Sequence, residues 1–272
     1  MQSGQVSLAV TADDGAHWFL INASPDLRQQ IFQTPELHPV AGRLRNSPIA
    51  GVILTNGEVD AVAGLLSMRE GQAFGLYAHS RVLDLLEMNP IFNVLDRQKV
   101  PRVAMLPGQA FEPALPDGSA SGLSVEAFDV AGKVAWYMEG AATGDAGDTL
   151  GLTIRATAGG PTVHILTACA RIDDALRDRL QGADLVFFDG TLWTDDEMIR
   201  SGLSHKTGQA MGHLSMSGPD GSIAGLEGLN IAHKVFVHIN NSNPALLPGS
   251  PERQAAISAG WTIPRPQQVF AP

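Results

Sequence analysis

Acidic and imidazole side chains stand just past apolar strand-like runs in widely separated parts of this chain. Glu58 and Asp60 follow the run Ile49 to Leu54, within Thr55-Asn56-Gly57-Glu58-Val59-Asp60. Asp189 closes Leu185-Val186-Phe187-Phe188, His238 follows Val235-Phe236-Val237, and His213 sits in Gly212-His213-Leu214-Ser215. Carboxylate oxygens and imidazole nitrogens gathered in one cleft can ligate a divalent metal or exchange protons with a substrate. Each residue also has a plainer reading. Asp60, and Glu58 at the helix entry, suit the first turn of a helix, where backbone amides and the dipole stabilise a carboxylate without any ligand. His238 reads as a packing residue or as an imidazole projected into a cleft. His213 reads as a helix cap, or as a group that donates to a developing charge or accepts a proton from a substrate. Asp189-Gly190-Thr191 is also an ordinary turn sequence. His205 and Lys206, ahead of Thr207, could contact a substrate carboxylate or form a solvated loop, and Asn240-Asn241 adds polar groups beside His238.

Positioning these groups requires strands that deliver them to a common edge. Val6 to Val10 and Trp18 to Asn22 predict an opening hairpin turned at Asp13-Asp14-Gly15. Ser24-Pro25-Asp26 predicts a short helix from about Leu27. Ile49 to Thr55 predicts a buried strand, and Val59 to Glu70 a helix directly after the loop. Tyr77 to His79 and then Ser80 to Met88 repeat strand-then-helix, with Ser80 as N-cap. Between about Pro101 and Gly160, the runs Val103 to Leu106, Leu123 to Val130, Val134 to Met138 and Leu150 to Ala156 predict antiparallel sheet. Thr162 to Thr167, Leu185 to Asp189 and Val235 to Ile239 predict buried strands, with helices over Asp173 to Leu180, Ala210 to Met216 and Pro251 to Gly260. The expected fold class is α/β, two mixed β-sheets flanked by helices in an αββα sandwich, as a single domain over 1–272.

Composition narrows the function classes. The 272 residues are 44% hydrophobic and 17% charged, as in a well-packed globular protein, and contain no apolar stretch long enough to cross a bilayer. A formal charge of -10 with no basic stripe opposes nucleic-acid binding, which rests on Lys and Arg neutralising phosphates. The single cysteine, Cys169, excludes internal disulfides and reads as a small buried side chain. The start Met1-Gln2-Ser3-Gly4 lacks the basic and apolar regions of a secretory signal, so a cytoplasmic location is expected.

Four long blocks carry a family resemblance: Asn22-Ala23-Ser24-Pro25-Asp26-Leu27-Arg28-Gln29-Gln30-Ile31; Phe188-Asp189-Gly190-Thr191-Leu192-Trp193 with Glu197-Met198; Met211-Gly212-His213-Leu214-Ser215-Met216-Ser217-Gly218-Pro219; and His238-Ile239-Asn240-Asn241-Ser242-Asn243-Pro244. With Ser250-Pro251-Glu252-Arg253 and Ala259-Gly260-Trp261, these resemble the pyrroloquinoline quinone (PQQ) biosynthesis protein B family over nearly the whole chain. The resemblance implies the metallo-β-lactamase fold and a cytoplasmic role in making PQQ from a Glu and a Tyr excised from a precursor peptide, alongside the other PQQ biosynthesis proteins. It also implies ligand roles for Asp60 and His238, a place near the substrate for His213, and an oxygen that Glu58 could offer where the parent fold has histidine.

The chain departs from these patterns in three ways. The parent fold writes its metal loop His-x-His-x-Asp-His, and this chain writes Asn-x-Glu-x-Asp-Ala, which removes the nitrogen ligands of a two-zinc centre. Ala61 stands where the PQQ family usually carries a ligand histidine. The family's opening strand and cysteine-rich structural zinc segment do not occur in this sequence. Two readings follow. One is a mononuclear Fe(II) oxygenase that hydroxylates the tyrosine ring of the Glu-Tyr precursor, with Asp60, His238 and Glu58 at the metal and His213 and Asp189 assisting. The other is a carrier that binds PQQ or its precursor through His205, Lys206 and Asn240-Asn241 and helps move it toward the periplasm. A zinc hydrolase of the parent fold is the remaining and weakest reading, because its dinuclear ligand set is erased.

Overall fold

Side-chain alternation along the strands sorts the apolar residues into three layers, and those layers account for the architecture of the computed structural model, which describes residues 4–42, 44–140, 144 and 146–272. The opening Met1-Gln2-Ser3 lies outside the described residues. The first sheet has the order β1-β2-β3-β4-β5: β1 (Leu8–Val10), β2 (Trp18–Ile21), β3 (Ile49–Ile53), β4 (Gly75–His79) and β5 (Arg102–Met105). Only β1 and β2 pair antiparallel; the rest run parallel. The second sheet has seven strands, from β6 (Ala110–Phe111) through β7 (Leu123–Asp129), β8 (Leu150–Ala156), β9 (Val163–Leu166), β10 (Leu185–Asp189) and β11 (His233–Val237) to β12 (Trp261–Thr262). Its β6-to-β9 half is antiparallel and its β9-to-β12 half parallel.

On β10, Leu185 and Phe187 face the first sheet while Val186 and Phe188 face outward; on β11, Val235 and Val237 face inward and Phe236 outward. Phe19, Ile21, Ile53 and Tyr77 meet them from the first sheet, so the central layer is a dry sheet-on-sheet core. Leu20, Val52, Leu76 and Ala78 turn the other way, onto helices. A bulge in β3 opposite Trp18 and Phe19 resets the alternation, which is why Ala50 and Ile53 both reach the central layer across an odd spacing. Gly51 is needed inside this strand because a Cβ there would lie 2.6 Å from the Phe19 ring.

The helices are short: α1 (Leu27–Gln33), α2 (Val59–Val62), α3 (Ser80–Met88), α4 (Asp174–Leu180), α5 (Glu197–Arg200), α6 (Ser222–Gly225) and α7 (Pro251–Ser258). Among the described residues, none is long and apolar enough to cross a membrane. The αββα layering matches the expectation, with several local corrections. The segment after α2 tightens into a 3-10 helix over Ala63–Met68 rather than continuing as one α-helix. Arg102–Met105 joins the first sheet in parallel, not the antiparallel region. Trp136–Met138 is a turn of 3-10 helix rather than strand, and only Gln209–Met211 is helical where a helix to Met216 was expected. The cap of α3 is His79, whose Nδ1 accepts from Arg81 N, rather than Ser80.

Candidate metal centre

Four strands of the two sheets end in polar residues on one side of the molecule. β2 leads into Asn22 and β3 into Thr55, Asn56 and then Asp60; β10 ends in Asp189 and β11 leads into His238. Asn22 and His238 both hold positive φ, 63° and 55°. That conformation is uncommon for residues other than glycine, and concentrations of it mark sites where the surrounding structure fixes the backbone. Asn22 is fixed by a buried network: its Oδ1 accepts from Thr55 N at 2.9 Å, its Nδ2 donates to Thr55 Oγ1 at 2.9 Å and to Thr167 Oγ1 at 3.3 Å. Thr55 and Thr167 hydroxyls lie 2.8 Å apart, which ties the two sheets together beneath the site.

Asp189 is fully buried, and four donors converge on its carboxylate. Oδ1 accepts from Thr191 N (3.1 Å) and Thr191 Oγ1 (2.6 Å); Oδ2 accepts from Cys169 N (3.1 Å) and meets His213 Nδ1 at 2.8 Å. Burial alone would raise its carboxyl, but the His213 and His238 imidazoles reverse that and hold it far below the usual carboxylate range. His213 is delivered by Gly212, whose φ of 91° ends the preceding 3-10 turn, and by a 2.9 Å hydrogen bond from His213 N to Gly208 O. The His213 and His238 rings stack with centroids 5.0 Å apart.

His238 is held at both ring nitrogens. Nε2 lies 2.6 Å from Asp60 Oδ2, and Nδ1 lies 2.7 Å from Thr191 Oγ1 and 3.7 Å from Asp189 Oδ1. Thr191 has one hydroxyl proton, which the 2.6 Å contact commits to Asp189, so its oxygen accepts from His238 Nδ1–H. With Nε2–H donating to Asp60, the ring carries both protons. Its pKa accords with this: burial alone would lower it, yet the hydrogen bonds and charges of Asp189 and Asp60 push it up to about 10. Asp60 is likewise lowered against the opposing effect of its own burial by its hydrogen bond to His238.

Asp189, His213 and His238 offer one carboxylate oxygen and two imidazole nitrogens that all lie within 4.8 Å of one another. This combination suits ferrous iron, and zinc also accepts it. The donors therefore fit a single divalent ion, and Asp60 borders the set through His238 Nε2. Beside them a small recess of about 10 Å³, room for about one water, is lined by Val6, Asn22, Asn56, Asp60, Ala61, Thr167 and His238. Ala61 is buried there, and its carbonyl accepts from Ala23 N at 2.7 Å.

The other residues singled out from sequence lie further from this set. Glu58 is turned aside: Oε1 accepts from Trp136 N at 3.0 Å and pairs with Lys133 Nζ at 3.2 Å. Lys206 pairs with Glu139, and His205 and Asn241 are exposed. Asn240 donates through Nδ2 to Ser242 Oγ at 3.0 Å. Cys169 is buried and its thiol is pushed up to about 12 by that burial, so it is no nucleophile. Thr191, Thr55 and Thr167 escaped the sequence reading. Their signal was a small polar residue at or just beyond the end of an apolar strand, repeated on three strands.

Two mixed sheets with acidic and imidazole groups gathered at the strand ends define a β-lactamase-type domain, and residues 17–239 match the β-lactamase superfamily domain model. Coenzyme PQQ synthesis protein B from Rhodopseudomonas palustris BisB5 is 65% identical over 264 residues, covering 96% of this chain and 85% of that protein. The protein of that name from Bradyrhizobium diazoefficiens is 60% identical, with 96% and 85% covered. The crystal structure of Zn(2+)-bound PqqB from Methylobacterium extorquens superposes with a TM-score of 0.87 at 46% identity, covering 94% of this chain and 83% of that one. A diphosphatase of the PhnP family, at 21% identity and a TM-score of 0.61, shares the fold. This chain belongs to the coenzyme PQQ synthesis protein B family of the β-lactamase superfamily.

Proposed function

We propose that this protein acts in the cytoplasm in PQQ biosynthesis, together with the other proteins of that pathway, as an iron- and oxygen-dependent hydroxylase of the tyrosine ring in the Glu-Tyr-derived precursor. The observation that carries this reading is the convergence of Asp189, His213 and His238 within 4.8 Å in a cleft whose first loop has lost the histidines of a dinuclear zinc hydrolase. Kinship to a protein whose structure is described as zinc-bound supports a divalent-metal site. Ferrous iron held by these three residues would supply the activation of oxygen. The chain's own groups do the rest. Thr191 accepts from His238 Nδ1–H and fixes the ring, Asp60 sits at hydrogen-bond distance to take the proton that Nε2 would give up on ligating, and His213 stands one sixth exposed, open to a phenolic oxygen.

A second reading, binding and carriage of the quinone or its precursor toward the periplasm, draws on Ala61, which leaves the recess beside Asp60 without an imidazole. The two readings separate in one experiment. The protein is loaded with ferrous iron anaerobically, then given oxygen and a Glu-Tyr dipeptide, and the products are followed by mass spectrometry. Oxygen-dependent gain of ring oxygen supports the hydroxylase. Tight binding of the dipeptide with no product would replace it with the carrier.

A further inference from the structure

A strap of chain, Lys133 to Glu139, is tied both to the loop that continues into Asp60 and to the loop that delivers His213. At one end Trp136 N donates to Glu58 Oε1 at 3.0 Å and the Tyr137 hydroxyl donates to Gly57 O at 2.8 Å, on the loop that continues into Asp60. The Lys133 stem lies against Gly212, the residue before His213, close enough that a Cβ on Gly212 would be 3.2 Å from Lys133 Cγ. Lys133 Nζ then meets Glu58 Oε1 at 3.2 Å and Glu139 Oε1 at 3.1 Å, and the second oxygen of Glu139 is held by Lys206 Nζ. Lys206 belongs to the loop that runs on through Gly208, whose carbonyl anchors His213 N.

Two lysines drawn from different loops thus grip one carboxylate with one oxygen each, partly exposed to solvent. Both lysines hold the Glu139 carboxyl below its usual range, so it stays charged. Glu139 itself is carried by a segment whose other ties lie on the Glu58 side, and Trp136 stands 70% exposed next to it. A carboxylate gripped this way by ammonium groups on flexible four-carbon stems is exchangeable: an incoming carboxylate can make the same two contacts in place of Glu139.

We propose that Glu139 holds the seat of a substrate carboxylate, and that Lys133 and Lys206 release Glu139 and grip that carboxylate when an acidic aromatic substrate enters. The inference rests on the proposed function for the identity of the substrate, and it adds what selects it: a carboxylate-bearing side of the precursor docks on the two lysines while its ring points toward His213. Glu139 then sets a threshold that neutral aromatic compounds do not cross.

The test is calorimetric binding of two probes to the 272-residue protein, the N-acetylated dipeptide Glu-Tyr and its uncharged diamide. Glu139→Gln should tighten Glu-Tyr by about fivefold, the worth of one partly exposed charge contact, and leave the diamide unchanged. Lys133→Met and Lys206→Met should each weaken Glu-Tyr by about fivefold with the same indifference toward the diamide. Equal effects on both probes, or weaker Glu-Tyr binding by Glu139→Gln, would mean that the cluster only braces the strap, and would overturn the proposal. Charge-selective binding with no hydroxylated product would leave the seat standing and remove the hydroxylase reading; hydroxylation with Glu139→Gln indistinguishable from wild type would do the reverse.

Discussion

Asp60→Asn removes one negative charge from a contact of 2.6 Å while keeping the size of the side chain, and its effect on His238 can be worked from the structure. A rise of the His238 pKa from the ordinary 6.5 to about 10 corresponds to ~5 kcal/mol of preference for the protonated ring. Two carboxylates share it. Asp189 is fully buried but 3.7 Å from Nδ1; Asp60 is closer but 30% exposed, so solvent screens part of its contribution. An even split reduced for that exposure leaves ~1–2 kcal/mol to Asp60, and the His238 titration midpoint in chelator-treated Asp60→Asn should fall by about one unit. The same charge pair stabilises the fold. A raised histidine contributes fully below its unfolded value of 6.5 and loses that contribution as pH climbs toward about 10. The lowered Asp60 carboxyl contributes above its ordinary 3.8 and is lost as pH falls below it. Wild type should therefore exceed Asp60→Asn in unfolding free energy most between roughly pH 4 and 6.5, and the two should converge by about pH 10. Imidazole proton NMR titration reads the first effect and urea unfolding at pH 6 and pH 10 the second. An unmoved His238 midpoint, or a stability gap that widens toward pH 10, would refute the reasoning.

Three further outcomes follow from the same geometry. Thr191→Val strips the shortest donor from a fully buried carboxylate and should cost about 1–3 kcal/mol in urea unfolding, with Thr191→Ser recovering most of it. Gly64→Ala would place a Cβ 2.2 Å from the Ser24 carbonyl oxygen and force apart the loop that carries Asn22; calorimetry should show a loss of about 1–3 kcal/mol. Zinc uptake measured by competition dye should strengthen as pH rises from 6.5 toward 10, by up to about tenfold per unit, since a ligating His238 must first shed a proton.

How far the site could be read from sequence depended on whether a residue's environment was set by its own strand. Asp189 and His238 were visible because all-apolar runs buried on both faces place the next polar residue at the sheet edge. That Asp60 meets His238 across 178 residues of chain was an inference from resemblance, and packing of the two sheets brings it about. Thr191 was hidden in a turn sequence, since its role comes from three partners on separate segments. Glu58 was misplaced for the converse reason. Its ligand reading came from alignment with a histidine, whereas a backbone amide and an ammonium group from the strap claim its carboxylate. That strap was itself read as strand over Val134 to Met138, because a pair of buried residues, Val134 and Ala135, followed by exposed aromatics imitates a half-buried edge. Gly212 likewise ends the expected helix at Met211: beyond it Leu214 and Met216 are buried and alternate with the more exposed His213 and Ser215, the period of an extended segment and not of a helix.

The central claim is that Asp189, His213 and His238 together hold one divalent ion. Anaerobic loading with ferrous iron, desalting and metal analysis of wild type beside His213→Ala and Asp189→Asn tests it most directly. The account predicts about one iron per wild-type chain, with affinity reduced at least tenfold in folded samples of either variant. Full retention of iron by both variants would place the metal elsewhere and contradict it.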